Sequence, residues 1–308
     1  MSIPIKHHYL PVFYMAKWAV NRLEVCRFSR PDGTNVIARR KNPELFGYVE
    51  HLYGPLELEV IKQIDDQGAK ALNTLLDAEN PRNLPSKTRE EWAALILTFL
   101  LRSPTNISQL KHSVSSEYRT ELDDLGVKYE DLLKDQGYTS IEDFIQDTQT
   151  DSVEAKVFQL IGTLIQHRNI VQLIANMHWA VIDLQKSSYK LLTSDNPVWM
   201  TETLGQSDSF LTLPINPTKL FVAANSLTIV QTLTSKKPLD LVKVRNKITV
   251  QHAENIVVGT DDTMFNFVSK HFATRRHSTL SELLARKRNL PIVDINSPQW
   301  LRDNRNSK

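Results

Sequence analysis

The chain is organised around the stretch Tyr189-Lys-Leu-Leu-Thr-Ser-Asp-Asn-Pro-Val-Trp199. The residues at 189–193 predict a short buried strand, and the sequence Ser-Asp-Asn-Pro that follows consists of turn formers, which ends the strand there. A hydroxyl, a carboxylate and an amide are therefore expected at a strand end, where α/β and α+β proteins often place their chemistry. The stretch predicts a candidate site and leaves the reaction open.

Alternating hydrophobicity predicts further strands on the C-terminal side of the chain and a hairpin near its start. The strands are expected at residues 179–184, 210–215 and 220–224. The hairpin is expected where residues 23–28 and 34–38 flank the turn sequence Arg-Pro-Asp-Gly. This pattern is typical of antiparallel pairing.

Helical periodicity dominates the rest of the chain. The N-terminal segment places Leu10, Phe13, Tyr14 and Trp18 on one apolar stripe after Pro11, which predicts a short helix docked on the body. Longer helices are expected at residues 56–78, 88–102, 106–122, 151–174 and 239–256.

These elements together predict the α+β class, with a helical body packed against a small, mainly antiparallel sheet and an N-terminal β-hairpin. We expect one domain over residues 1–283, because no linker interrupts the pattern. Residues 284–308 lack a periodic apolar face and are mildly basic, which predicts a flexible tail.

The composition of the chain excludes a few classes of function and partner. The chain is 41% hydrophobic and 23% charged, as in ordinary globular proteins, and its net charge of +2 favours no polyanionic partner. The single cysteine, Cys26, excludes an intramolecular disulfide and predicts a packed thiol in a reduced, cytoplasmic setting. No apolar run approaches the roughly 20 residues needed to span a bilayer, so no membrane partner is expected. No zinc signature or glycine-rich phosphate loop is present, so the sequence indicates no metal and identifies no cofactor.

The polar group of the anchoring stretch has two interpretations. Asp195 can act as a general base, a metal ligand or a cation anchor, with Asn196 beside it as a second candidate catalytic residue and Ser194 as a substrate contact. Alternatively, Asp195 forms an Asx-turn that satisfies nearby backbone amides before Pro197. The sequence leaves both interpretations open.

Arg102 ends an otherwise apolar helix pattern and has three possible roles. It can satisfy the last carbonyl groups of the helix, clamp a phosphate or carboxylate of a substrate, or form a buried pair with Asp195. His7 and His8 are adjacent and point to opposite sides of an extended chain, so one of them can enter a given site. We favour His8 for acid–base chemistry and take His7 as a substrate contact, with a histidine bonded to a backbone carbonyl as the alternative.

Three stretches together resemble a known bacterial family. They are His8-Tyr-Leu-Pro-Val-Phe-Tyr14, Leu101-Arg-Ser-Pro104 and Leu192-Thr-Ser-Asp-Asn-Pro197. The pattern resembles the family catalogued as domain of unknown function 4238, over about residues 6–272. The resemblance supplies no substrate and no mechanism, and it implies that the polar residues to follow are His8, Arg102, Asp195 and Asn196, together with Pro197.

Two functions fit these residues. The first is a hydrolase acting on a phosphodiester or nucleotide, with His8 as general acid or base, Asp195 as base or metal ligand and Arg102 as anion clamp. A nucleotide or nucleic acid is then the expected partner. The second is a non-enzymatic binding or regulatory module, such as a defence component, in which the same residues brace the N-terminal segment. The oligomeric state is not determined by the sequence.

Overall fold

A computed structural model of the chain describes residues 5–21, 23–54, 56–109, 158, 162, 165–201 and 204–275. Its contacts group the chain into two compact units, Met1–Ser103 with Ile165–His277 and Pro104–Leu164 with Ser278–Lys308. The prediction of a single domain over residues 1–283 stays a prediction. The predicted tail at 284–308 lies outside the described residues, as do most of the helix predicted at 106–122 and the first part of the one predicted at 151–174.

The strands of the first unit pair in antiparallel fashion in every sheet with described residues. A two-stranded sheet pairs β1 (Lys6–His8) with β4 (Tyr48–Glu50). One four-stranded sheet runs in the order β3 (Ile37–Lys41), β2 (Val25–Ser29), β10 (Val257–Gly259) and β6 (Thr193–Ser194). The other runs in the order β5 (His178–Asp183), β9 (Lys219–Ala224), β8 (Phe210–Asn216) and β7 (Trp199–Met200).

Helices pack against these sheets, and their bounds are α1 (Val12–Met15), α2 (Lys62–Asp77), α3 (Ser86–Leu101), α4 (Arg168–Asn176), α5 (Leu227–Thr234), α6 (Pro238–Gln251) and α7 (Phe265–His271). The indole rings of Trp92 on α3 and Trp179 on β5 both meet the ring of Phe221 on β9, with centroids 5.6 and 5.0 Å away. Such edge-to-face aromatic contacts bury large apolar areas between helix and sheet. The predicted α+β class is confirmed.

The predicted hairpin is also confirmed, as the pair β2–β3. Its turn places Gly33 at a φ of 74°, a left-handed conformation that suits glycine, and the Gly33 N–H donates to the Arg30 carbonyl at 3.1 Å. Cys26 lies on β2 with its side chain buried, and burial raises the pKa of its thiol to about 11. The thiol is therefore packed and protonated, as the sequence predicts.

The strand predicted at residues 189–193 is wrong for all but its last residue. The Leu191 N–H donates to the Pro217 carbonyl at 2.8 Å, and the Leu192 N–H donates to the side-chain oxygen of Asn246 on α6, also at 2.8 Å. The backbone groups that a ladder would use are therefore bonded to a loop and to a side chain. Regular pairing begins at Thr193, opposite Val258 of β10.

The N-terminal segment is docked on the body, as its apolar stripe predicts. Leu10, Tyr14 and Trp18 are fully buried. The Tyr14 hydroxyl lies 2.7 Å from both the Thr193 hydroxyl and the Pro214 carbonyl, and the Trp18 indole N–H donates to the Leu191 carbonyl at 2.7 Å. The segment therefore bonds directly to the stretch around which the chain is organised.

Candidate functional site

The structure distributes the predicted site residues between two polar clusters of the first unit. One, the Arg102 cluster, consists of His8, Glu57, Asp65 and Arg102. The other, the Asp195 turn, consists of residues 194–197 and the main chain of residues 254–256. Within the described part of the chain, no hydrogen bond or ion pair joins Asp195 to His8 or to Arg102.

Arg102 is the centre of the first cluster. It caps the C-terminus of α3, its side chain is 1% exposed, and its Nη1 donates to Asp65 Oδ1 at 2.8 Å. Its guanidinium carbon lies 4.8 Å from the centroid of the Phe99 ring, a cation–π contact. The expectation that Asp195 would be its acceptor is therefore wrong, because a carboxylate on α2 is already in place.

Two acidic side chains reach this cluster from the start of α2. Glu57 opens a π-helical turn, Glu57–Ile61, and Asp65 follows in the first turn of α2. In an α-helix of about 3.6 residues per turn, positions eight apart, as these two are, differ by about 80° around the axis. The extra residue in a π-helical turn reduces the difference to about 20°, which turns both carboxylates to one side.

The carboxyl groups of Glu57 and Asp65 differ in what surrounds them, and this affects the pKa of each. Burial raises the pKa of Glu57 to about 7; the Asp65 charge adds to this rise and the Arg102 charge opposes it. Burial also raises the pKa of Asp65, against the opposing effect of its bonded Arg102. Glu57 is therefore protonated in a large fraction of molecules near neutral pH, while its neighbour neutralises the guanidinium.

His8 reaches the cluster from β1, where alternation sends it to the opposite side from His7. Burial lowers the pKa of His8, the charge of Arg102 lowers it further, and a hydrogen bond to the backbone of Glu44 opposes both. Its ring meets the edge of Tyr48 at 5.3 Å between centroids. The imidazole is therefore neutral near pH 7 and can accept a proton.

Four polar atoms of this cluster are buried without any hydrogen-bond partner among the described residues. They are His8 Nε2, Glu57 Oε2, and Nε and Nη2 of Arg102. Buried polar groups are nearly always bonded, and exceptions concentrate at catalytic sites and at sites that hold a water or an ion. Two guanidinium donors, one carboxyl oxygen and one imidazole nitrogen are thus buried without a partner among the described residues.

His7 contacts Tyr53, which in turn bonds to Arg102. It is fully buried, its ring stacks on Tyr53 at 5.7 Å between centroids, and its Nδ1 accepts the Tyr53 backbone N–H at 3.0 Å. The Tyr53 hydroxyl in turn donates to the Arg102 carbonyl at 2.8 Å. His7 is thus linked to Arg102 through Tyr53, and the Arg102 charge also acts on His8.

The Asp195 turn is built differently, because its carboxylate is saturated by main-chain donors. Oδ1 accepts the N–H of Glu254 at 2.9 Å, and Oδ2 accepts those of Asn255 and Ile256 at 2.6 and 3.0 Å. Burial and the nearby Glu254 charge raise the pKa of Asp195 to about 7, while the three amides oppose the rise. The carboxylate thus satisfies backbone amides, as in the Asx-turn interpretation, but the amides belong to residues 254–256 and not to the residues next to Asp195.

Ser194 and Asn196 are also engaged within the turn. The Ser194 hydroxyl donates to the Asn196 carbonyl at 3.1 Å and accepts the Asn196 N–H at 3.2 Å. The Asn196 side-chain amide donates to the His252 carbonyl and to Glu254 Oε1, both at 3.1 Å. Catalytic roles for Asp195 and Asn196, and a substrate contact by Ser194, stay predictions.

Arg245 on α6 completes this turn and was missed by the sequence analysis. It is 3% exposed, and its guanidinium donates to the Pro197 carbonyl at 2.6 Å and to the Thr249 hydroxyl at 2.8 Å. Burial lowers the pKa of Arg245 to about 10, so it stays charged at neutral pH. In an amphipathic helix pattern a single arginine resembles the solvent face, and no sequence signal marks it as buried.

Glu57 and Asp65 were missed for a related reason. Acidic residues at the start of a helix are common, because they complement the helix dipole and are solvated. The signal that could have singled them out is their combination with an arginine that ends the next helix, since a buried arginine requires an acceptor.

The described part of the chain offers neither a cluster of metal ligands nor a membrane-spanning helix. Those residues contain no group of three or more His, Cys, Asp or Glu side chains placed to hold a metal ion. None of the helices with described residues has the length and hydropathy needed to cross a bilayer.

Comparison with known proteins gives a family and no further relative. A search of curated proteins and a search of solved structures each give no significant match. The profile of the family described as "Protein of unknown function (DUF4238)" matches residues 6–263, which includes His8, Glu57, Arg102 and Asp195. The match covers more than half of the chain, and the chain therefore belongs to the DUF4238 family.

Proposed function

We propose that the protein is a hydrolase that acts on a phosphodiester or a nucleotide, and that the Arg102 cluster is its active site. The observation that carries the proposal is the set of four buried, unpartnered polar atoms on His8, Glu57 and Arg102. Such groups are costly to leave unbonded, so a fold that keeps several in one place is expected to bond them to a ligand.

Each side chain has a role that follows from its charge state. Arg102 Nε and Nη2 lie in one plane and can bind two non-bridging phosphate oxygens in a bidentate manner. Neutral His8 can take a proton from the attacking water, and protonated Glu57 can donate one to the leaving oxygen. A neutral base and a protonated acid in one site can act as an acid–base pair at physiological pH.

In this proposal the Asp195 turn positions rather than reacts. Its carboxylate holds the main chain at residues 254–256, and Tyr14 bonds Thr193, the residue before the turn, to the N-terminal segment. The N-terminal segment in turn carries His8. Asp195 thereby contributes to the placement of His8 through the scaffold.

The test is a hydrolysis assay with bis-p-nitrophenyl phosphate and a panel of nucleotides, on the wild type and on His8→Gln, Glu57→Gln and Arg102→Lys. We expect each variant to lose on the order of 100-fold or more in kcat/KM, since single acid–base groups typically contribute that much. Matched controls are His178→Gln and Glu50→Gln, whose side chains are exposed and outside the cluster.

The outcomes separate clearly when folding is checked by circular dichroism. Activity that is lost in the cluster variants and kept in the controls supports the proposal. Activity that persists in folded His8→Gln and Glu57→Gln would assign the reaction to another site.

A non-enzymatic binding or regulatory module is the second candidate. It is favoured by the 1% exposure of Arg102, since a solvent-excluded ion pair suits a brace between α2 and α3. In that case no substrate of the panel is hydrolysed, and the three variants change stability alone. Substrate binding under the first candidate requires the Arg102 side chain to become accessible, whereas the brace requires it to stay buried.

A further inference from the structure

A second, separate feature of the first unit is a concave pocket of about 500 Å³ beside the β2–β3 hairpin. Its lining contains two arginines, Arg27 and Arg30, together with Ser29, Tyr48 and Asn255, and none of the described residues that line it is acidic. We propose that this pocket binds a phosphate group of a nucleotide ligand, either a free nucleotide or a nucleotide within a single nucleic-acid strand. Its volume is in the range of ordinary ligand sites.

The two guanidinium groups are available to a ligand. Arg27 donates from Nε and Nη2 to the Ser29 hydroxyl, at 3.3 and 2.8 Å, and stacks over the buried Phe46 ring at 5.6 Å. These contacts fix its orientation with a neutral partner and leave its charge uncompensated. Arg30 stacks over Phe272 at 5.2 Å, and its Nε is buried with no acceptor among the described residues.

Nearby carboxylates are turned to other donors. Asp32, in the same turn as Arg30, accepts the N–H groups of Thr34 and Asn35 at 3.0 and 2.9 Å. Asp195 is bonded to three main-chain amides, and Glu254 accepts from Asn196. Two preoriented arginines without a bonded acid favour an anion with several acceptor oxygens, and a tetrahedral phosphate can accept hydrogen bonds from more than one guanidinium.

Further cations extend the positive surface away from the pocket. Arg39 on β3 is exposed and lies directly opposite Arg27 in the strand register. The Lys6 ammonium sits 4.8 Å from the centroid of the Tyr48 ring, which lines the pocket on its other side. A row of this kind can follow successive phosphates of a strand, and basic residues on the edge strand β3 also discourage pairing with other chains.

Tyr48 connects this pocket to the candidate active site. Its ring lines the pocket and also meets the His8 ring at 5.3 Å between centroids. Under the proposed function, one residue therefore contacts both the phosphate pocket and a catalytic side chain. This connection rests on the proposed function, whereas phosphate binding by the pocket does not depend on hydrolysis.

The test is fluorescence anisotropy with a labelled single-stranded oligonucleotide of about ten nucleotides, in competition with AMP and with inorganic phosphate. The proteins are the full-length wild type, Arg27→Gln, Arg30→Gln and Arg82→Gln, the last as an exposed arginine outside the pocket. We expect Arg27→Gln and Arg30→Gln each to weaken binding about tenfold. Arg82→Gln should bind like the wild type.

Competition identifies the source of the phosphate. Displacement by AMP at concentrations similar to those of oligonucleotide assigns the pocket to free nucleotides, and displacement by the strand alone assigns it to nucleic acid. The proposal that this pocket binds phosphate would be overturned if the wild type did not bind the oligonucleotide. It would also be overturned if folded Arg27→Gln and Arg30→Gln bound with the affinity of the wild type. Oligonucleotide binding by the wild type without any wild-type hydrolysis would reject the proposed function alone, and hydrolysis without oligonucleotide binding would reject the pocket alone.

Discussion

The Arg102 guanidinium and the Asp65 carboxylate meet between the end of α3 and the first turn of α2, with Nη1 and Oδ1 2.8 Å apart. The arginine is 1% exposed and the aspartate side chain 21%, so the pair is held mostly out of water. A pair of this kind contributes little net stability when intact, because desolvation offsets the attraction. Removing one partner is costly, because the other charge is then left buried alone.

Asp65→Asn should therefore lower the free energy of unfolding by about 2–4 kcal/mol, because Arg102 cannot release its proton and loses its charged acceptor. Denaturant unfolding measures the change. Asp66→Asn is the matched control, as its side chain is exposed, and should change stability by about 0.5 kcal/mol or less. Equal effects of the two substitutions would show that the ion pair is not formed in solution.

Asp195→Asn should destabilise the fold by about 2–4 kcal/mol, since an amide group in place of the carboxylate sets a donor against at least one of the three main-chain N–H groups. Thermal or denaturant unfolding gives the comparison. The exposed Asp208→Asn serves as control. A variant as stable as the wild type would mean that the turn does not depend on this carboxylate, and would reopen its catalytic role.

Tyr14→Phe tests how the N-terminal segment is attached to the anchoring stretch. We expect a loss of about 1–3 kcal/mol, because the Thr193 hydroxyl and the Pro214 carbonyl lose a buried partner while the ring still fills its space. Tyr189→Phe is the control, since Tyr189 is 46% exposed. If both substitutions were neutral, the hydroxyl contacts would carry no stability.

Glu57→Gln should change how stability depends on pH. The pKa of Glu57 is raised from 4.5 to about 7, so the folded state keeps a proton that the unfolded state releases in this window. Wild-type stability therefore falls as the pH rises through the window, and the variant lacks this loss. Relative to the wild type, the variant should gain on the order of 1–2 kcal/mol across the window, because partial exposure screens the charge.

The measurement is a series of unfolding curves between pH 4.5 and 7, the ordinary and the raised pKa of Glu57. Glu50→Gln on β4 is the matched control, since its side chain is exposed. A pH-dependent difference of the same size in both variants would contradict the placement of Glu57 in a buried cluster.

Sequence patterns predict the parts of the fold that are local. The Arg-Pro-Asp-Gly turn predicts the β2–β3 hairpin, and apolar periodicity locates α2, α3, α6, β8 and β9. Three of the strands that were missed, β1, β4 and β10, span three residues each and pair with strands far away in the chain. A segment of three residues carries too little alternation to be recognised.

In the candidate site, too, the local features were predicted from the sequence and the long-range contacts were not. His8, Arg102 and Asp195 were found because they end or begin elements and match a family pattern. The partners of those residues were not found, because Asp65 meets Arg102 through the packing of two helices, and the amides of residues 254–256 meet Asp195 across a gap of about 60 positions. Partner choice of this kind depends on tertiary register, which hydrophobic periodicity does not encode.

The most direct test of the central claim is a crystal structure of the protein soaked with orthovanadate, a phosphate analogue. The account predicts vanadate bound to Nε and Nη2 of Arg102, next to His8 Nε2 and Glu57 Oε2, the four atoms that lack partners among the described residues. The contrary result is a structure in which these atoms bond to protein groups or enclosed waters and vanadate is excluded from Arg102. That result would make the cluster a brace between α2 and α3 instead of an active site.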